Sequence, residues 1–299
     1  MKFSILILVI ALGFQSVACS QVTPPKSDQE RGSSKRQNNL KQEIVNPAKN
    51  PDNYRVGKDW KLVWSDEFRG RELDLKNWTR QILPNPYNKE WQQYFDRKEN
   101  SYVKNGYLVL KAIHHGKKHG DKMYTSARLH TGHKQAWQYG KIAARIQLPH
   151  GKGIWPAFWM LGDDIDEIGG KTPWPKCGEI DILELYGTRD DSVVEANLHY
   201  DDGGHKMSGA VSFKLDKGKF ADQFHVFEIE WTEKQIAWLV DGKKYHHVDI
   251  SGENMEEFHR KFHILLNIAV GGASAGRPDE TTPFPAYMFV DWVRVYQRD

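Results

Sequence analysis

The sequence predicts an all-β protein, a sandwich of two antiparallel sheets, on three observations. From Trp60 to the C-terminus, short stretches of period-two alternation recur between Gly, Pro, Asn and Asp punctuation. Almost no stretch sustains a 3.6-residue period. The dipeptide Asp241-Gly242 stands between two strand-like runs, a strong hairpin signal because both positions tolerate positive φ. Many short strands over about 240 residues, without an internal repeat, fit two packed sheets in one domain.

Composition narrows the function. Of 299 residues 39% are hydrophobic and 27% charged, enough for a packed core and too apolar for global disorder. The net charge is +3 with Lys and Arg interspersed among acids, which argues against a nucleic-acid partner, whose surface needs basic residues on one face. Two cysteines, Cys19 and Cys177, are too few for a disulfide framework or a Cys-based zinc site. Eleven Trp, twelve Tyr and thirteen Phe are more rings than a core of this polarity needs, so some should serve a ligand.

Residues 1–19 read as an address. Met1-Lys2 precedes an apolar run from Phe3 to Phe14 and the small residues Ser16-Val17-Ala18 before Cys19, the pattern of an export signal. The run is shorter than the roughly 20 residues a spanning helix needs, and no later run is longer, so membrane attachment is expected only through lipid. Cys19 behind Ala18 resembles the lipobox of bacterial lipoproteins, although Ser16 stands where that motif usually has Leu. The expected location is therefore the bacterial cell envelope or surface by a lipid on Cys19, with simple secretion as the alternative. Residues 20–58 are rich in Ser, Gln, Asn, Pro, Lys and Arg and read as a solvated tether. Residues 59–299 form the folded domain, expected to be a monomer.

Within that domain Lys141 to Leu148 sets Ile142, Ala144, Ile146 and Leu148 against Lys141, Ala143, Arg145 and Gln147, a strand with one buried face. Phe224 to Trp231 sets Phe227, Ile229 and Trp231 against Glu228 and Glu230. Ile236 to Val240 and Lys243 to Tyr245 form the hairpin arms. Ile264 to Val270 is apolar except for Asn267 and reads as a central strand covered on both sides. Only Gly252 to Phe262 reads as a helix, and a short one.

The chemistry concentrates in Glu179-Ile180-Asp181-Ile182-Leu183-Glu184. Three carboxylates in an otherwise apolar strand are expensive. In a regular strand Glu179 and Asp181 share a face and Glu184 points to the other. A β-bulge near Ile182 and Leu183 would restore parity and bring all three together, as bulges beside active sites do. Mutual repulsion should then hold a proton on at least one of them to higher pH. A solvated polar face is the plain alternative, weakened by the apolar spacers and by Trp155, Trp159, Trp174 and Tyr186 nearby. Carboxylates bordered by rings suit a carbohydrate, whose C–H faces stack on aromatics while two carboxyl groups cleave the glycosidic bond.

That hexapeptide resembles the E-x-D-x-x-E strand of glycoside hydrolase family 16, in the bulged form of laminarinases. Trp64-Ser65-Asp66-Glu67-Phe68, Tyr124-Thr125-Ser126-Ala127-Arg128, Tyr139-Gly140-Lys141, Trp155-Pro156-Ala157-Phe158-Trp159-Met160, Asn267-Ile268-Ala269-Val270-Gly271-Gly272 and Val290-Asp291-Trp292-Val293-Arg294-Val295-Tyr296 resemble the same family in its order. The resemblance implies a β-jelly-roll with a cleft across a concave sheet and a retaining endo-hydrolase of internal β-1,3 linkages, or of adjacent β-1,4 linkages, in laminarin-like or mixed-linkage glucans. It makes Glu179 the nucleophile, Glu184 the general acid/base and Asp181 the carboxylate that tunes both, with the catalytic carboxyl groups roughly 5 to 5.5 Å apart. It also implies substrate contacts from Trp155, Trp159, Asn88, Glu90, Gln92, Arg128 and His199. No cofactor is needed for catalysis, but one structural Ca²⁺ is implied at Glu67, Asp291 and the Gly106 carbonyl, with waters completing the shell.

Two departures qualify the substrate: Ala273 stands where many laminarinases carry a large aromatic, and Asp163 to Lys171 forms an insertion before Trp174. Relatives with the same strand act on agar-type galactans, porphyran or mucin glycans, and the same acids serve a transglycosylase. A glycan-binding protein without turnover is the remaining alternative. Cys177 reads as a small buried residue rather than a reactive thiol.

Overall fold

The computed structural model describes residues 46–116, 123–208 and 211–298. The expected export signal, Cys19 and residues 20–45 of the tether lie outside them. Among the described residues two sheets pack face to face. One has eight strands, in the order His205–Met207, Val193–Asp201, Glu179–Glu184, Ile154–Gly162, Phe262–Val270, Arg128–His130 and Thr79–Arg80, with Val211–Lys214 added alongside Val193–Asp201. The other has ten strands and is centred on His225–Trp231, Gly140–Gln147, Ala286–Gln297 and Tyr107–His114. Pairing within the eight-stranded sheet is antiparallel throughout.

The alternation read from the sequence sets the inner faces. Ile142, Ala144 and Ile146 join Phe227, Ile229 and Trp231 on one side of the core. Phe158, Met160, Ile180, Ile264 and Leu266 meet them from the other. Each large apolar side chain buried here contributes roughly 1.5–3 kcal/mol, so a one-residue slip, which would turn a whole strand over, is strongly disfavoured. The strand Phe262–Val270 is buried along its full length between two neighbours, as its composition predicts. The hairpin joins Gln235–Val240 to Lys243–Asp249 through Asp241 at φ 50° and Gly242 at φ 78°. The short helical segment is a 3-10 turn, Glu253–His259. No helix among the described residues is long and apolar enough to cross a membrane.

One boundary differs from expectation. Residues 46–58 are not part of a solvated tether: they lie on the outer face of the ten-stranded sheet. Ala48 N–H donates to Gln147 (2.8 Å), and the Asn50 side chain bonds the Phe224 backbone twice (2.9 and 3.0 Å). The Tyr54 hydroxyl donates to Glu228, and its ring meets Trp292 at 5.1 Å between centroids. The reason is the composition of that face. Ala143, Val226 and Trp292 make it partly apolar, and Lys141, Arg145 and Glu228 gain partners beneath the covering segment. The strand read as having one buried face is accordingly buried on both, with Lys141 and Arg145 only 5% and 4% exposed.

Candidate active site

The outer face of the eight-stranded sheet carries the acids. Between Asp181 and Leu183 the register against Ile154–Gly162 shifts, with Asp181 opposite Trp159 and Leu183 opposite Phe158. Against Val193–Asp201, Asp181 faces Asn197 and Glu184 faces Glu195, so three steps on one strand match two on the other. Ile182 and Leu183 both turn into the core, and Glu184 thereby emerges beside Glu179 and Asp181. The Trp238 indole N–H crosses the core from the opposite sheet to the Asp181 carbonyl (2.8 Å), which anchors the bulge from beneath.

Each carboxylate has distinct company. Glu184 accepts from Trp155 Nε1 (2.8 Å), Tyr186 Oη (2.6 Å) and Asn197 Nδ2 (3.2 Å). Glu179 accepts from Trp174 Nε1 (2.8 Å). His199 Nε2 lies 3.3 Å from Asp181 Oδ2 and 3.8 Å from Glu179 Oε1. Glu179, Asp181 and His199 thus converge, one polar atom of each within 4.8 Å of the others. Burial pushes Glu179 well above the usual carboxylate range, reinforced by the Asp181 charge and opposed by His199 and the Trp174 N–H. Burial and then Glu184 push Asp181 up as well, while a hydrogen bond with Glu179 opposes the shift. The pair therefore holds a proton to unusually high pH, as repulsion among the three predicts.

Those shifts have a stability consequence. A carboxyl group whose folded-state pKa is raised leaves the protein most stable below the unfolded value, about 3.9 for Asp, and stability falls as pH rises through the folded value. Asp181→Asn removes that charge. It is expected to raise Tm at pH 8 by roughly 2–4 °C for each kcal/mol of strain relieved and to change it little near pH 4, which calorimetry at the two pH values reads directly.

Farther along the cleft, Arg128 is paired with Glu167 (2.8 Å) and lies 4.9 Å over the Trp159 ring. Trp159 Nε1 donates to Asn267 (2.7 Å). Glu167 belongs to the insertion noted in the sequence, where it also accepts from Gln81. Asn88, Glu90 and Gln92 do not alternate along one strand, because Asn88 and Lys89 have positive φ and only Gln92 is in the strand Gln92–Tyr94. Asn88 is exposed and Glu90 half-buried. Gln92 is fully buried: it donates to Glu90 (2.5 Å) and accepts from Val270 N (2.7 Å), so it braces Glu90 and does not reach a ligand itself.

The calcium set carried over from the resemblance does not fit the arrangement found. Both Glu67 oxygens are held by the Arg294 guanidinium (2.8 and 2.9 Å), and Asp291 is held by Arg145 (2.6 Å). Cations already neutralise both carboxylates, which leaves the Gly106 carbonyl without anionic co-ligands. Treatment with EDTA is accordingly expected to leave the melting temperature within about 1 °C of its starting value, because carboxylates already held by arginines would gain little from an added ion. Cys177 is buried, its thiol pushed up to about 12 chiefly by burial.

Trp174, Asn197, Tyr186, Glu167 and His205 also line or brace the site and were not singled out as site residues by motif. For Trp174 and Tyr186 the signal was present, as rings crowding the acids. For Asn197, opposite Asp181, it lies in the pairing of strands, which sequence does not display.

Comparison with known proteins agrees with this geometry. The family model described as "Glycosyl hydrolases family 16" matches residues 87–294. The β-glucanase of Rhodothermus marinus is 37% identical over 251 residues, 80% of this chain and 85% of that one. The glucan endo-1,3-β-glucosidase of Cryptopygus antarcticus is 36% identical over 230 residues, 71% and 81% of the two chains. The catalytic domain of an endo-1,3-β-glucanase (laminarinase) from Thermotoga petrophila RKU-1 superposes with a TM-score of 0.71 at 40% identity, over 81% of this chain and all of that one. A bulged acidic strand on the open face of a two-sheet sandwich, and a family match across more than two thirds of its length, establish that the chain belongs to glycosyl hydrolases family 16 and is a glycoside hydrolase.

Proposed function

We propose that this protein cleaves internal β-1,3 linkages of laminarin-like glucans, or adjacent β-1,4 linkages in mixed-linkage chains, with retention of anomeric configuration. The observation that carries the reading is the pair of differently furnished glutamates on one bulged strand. Relatives named for β-1,3-glucan cleavage supply the substrate class.

In this scheme Glu184 gives its proton to the glycosidic oxygen as the C1–O bond breaks, and a Glu179 oxygen bonds to C1 from the opposite side. The leaving chain departs as an alcohol. Glu184, now a carboxylate, takes a proton from water, whose oxygen displaces Glu179 from C1. Tyr186 suits both stages, because a hydroxyl donates to the carboxylate and accepts from the acid. Trp174 and His199 counter the burial that disfavours charge on Glu179, and Asp181 shares its proton with that group. Trp155 and Trp159 are assigned to sugar rings, with Arg128, Asn88 and Glu90 addressing hydroxyls. Export and lipid attachment through Cys19 complete the reading; loss of labelled palmitate from Cys19→Ala would distinguish an anchored from a secreted protein.

The test is a product profile on laminarin, lichenan, agarose and mucin glycans. Ladders of laminarin-oligosaccharides whose first-formed anomer is β by NMR are the expected result. Turnover restricted to galactans or mucin glycans would overturn the substrate class. Binding without new reducing ends would overturn the reaction, and products longer than the substrate would assign the intermediate to a sugar acceptor.

A further inference from the structure

The hairpin that follows the catalytic strand's neighbour brings a second histidine to the acids. In it Asp201 pairs with His205 and His199 with Met207, and His205 Nε2 comes to rest 2.8 Å from His199 Nδ1. The two rings are nearly parallel, 18° apart with centroids 5.1 Å apart, and the Trp174 ring lies 4.6 Å from His205. We infer that His205 is a positioning residue of the cleft: it dictates which nitrogen of His199 carries the proton facing Asp181 and Glu179. The inference rests on the proposed roles of those acids.

The argument is a count of protons. Two imidazole nitrogens at this separation need one N–H and one lone pair between them. On its other side His199 Nε2 faces Asp181 and Glu179, which favour a proton on that nitrogen. In neutral His199 the Nδ1 is then a lone pair, and His205 must donate. A His205 that donates through Nε2 in turn requires the lone pair on His199 Nδ1, and so excludes the tautomer that would point a bare lone pair at two carboxylates. Two imidazolium rings cannot keep the contact, since both nitrogens would donate. Burial, followed by the neighbouring His199, holds His205 below the usual imidazole range, which keeps the donor form neutral over a wider span of pH. The groups around the pair are Glu179 and Asp181 from the catalytic strand, Asp201 across the ladder, Lys206 on the strand of His205, and the uncharged Trp174 ring.

Three substitutions separate donation from packing. Glutamine at His205 retains an N–H that reaches His199, phenylalanine retains the ring against Trp174 without a donor, and alanine retains neither. With laminarin, His205→Ala and His205→Phe are expected to lower kcat by about 10- to 100-fold, with KM little changed and the acid limb of kcat/KM displaced. His205→Gln is expected to recover most of that loss. In ¹⁵N NMR of the full chain, His199 is expected as the Nε2–H tautomer in the wild type and as a mixture in the alanine variant. Superimposable pH profiles for wild type and His205→Ala, or recovery by phenylalanine in place of glutamine, would overturn the inference. So would a His199 tautomer unchanged in His205→Ala, a readout independent of turnover. A wild-type protein inactive on laminarin defeats the functional reading and leaves the NMR result to judge this one.

Discussion

Glu179→Gln is expected to lower laminarin hydrolysis by about 10⁴-fold or more, with oligosaccharide binding changed only a few-fold. Glutamine has the volume of glutamate, and its amide oxygen still accepts from the Trp174 indole N–H, so the wall of the cleft stays in place. What is lost is the bond to C1, and no other carboxylate is placed to replace it: Asp181 is 2% exposed and tied to the same proton. The folded protein should also become more stable at neutral pH, because a buried charge opposed by burial and by Asp181 has been removed. A variant both inactive and harder to melt separates loss of chemistry from loss of fold. Glu179→Ala supplies a sharper test, since azide can occupy the vacated space and attack an activated aryl glycoside. A nucleophile at this position predicts an α-glycosyl azide; a β product, or turnover near the wild-type level, would assign the attack elsewhere.

The sequence made the acids legible because their cost was visible. Three charges among Ile180, Ile182 and Leu183 conflict with a simple strand, and the parity of Glu184 required an extra residue, which is where the register shifts. The same period-two logic located the strands, since it reports which side of a strand is apolar. It does not report what lies over the other side. Lys141 and Arg145 have the pattern of an exposed face, yet a segment roughly ninety residues earlier covers them through the carbonyls of Val56 and Asn50. Gln92 had the spacing of a cleft residue and is turned inward by Val270 N, again a partner far along the chain. Glu67 and Asp291 matched a calcium set by position, but the arginines that hold them were equally plain in the sequence and carried no sign of their direction. Residue type and periodicity encode faces; the identity of a long-range partner is settled by packing.

Glu184→Gln should divide substrates by leaving group. On laminarin, whose departing alcohol needs a proton, the loss is expected at about 10²- to 10⁴-fold, the range of a positioned general acid. On an aryl glycoside with an acidic phenol the first step needs no proton and should proceed, while breakdown of the intermediate slows because water has lost its base. A burst of phenol followed by a slow steady state is the expected trace. The geometry preserves most of the contacts: with the amide oxygen at the Oε1 position Trp155 Nε1 can still donate to it, and at the Oε2 position the Tyr186 hydroxyl can turn to accept from the amide N–H, while only the longer Asn197 Nδ2 bond (3.2 Å) is lost. Azide should accelerate the second step and give a β-glycosyl azide, opposite in configuration to the product expected from the Glu179 variant. Equal losses on both substrates would show that the substitution harmed binding or fold, and Glu184 would lose its assignment as the acid. The contrast depends on the bulge, for only with Glu184 on the same face as Glu179 can one carboxyl group act on the oxygen while the other acts on the carbon of a single bond.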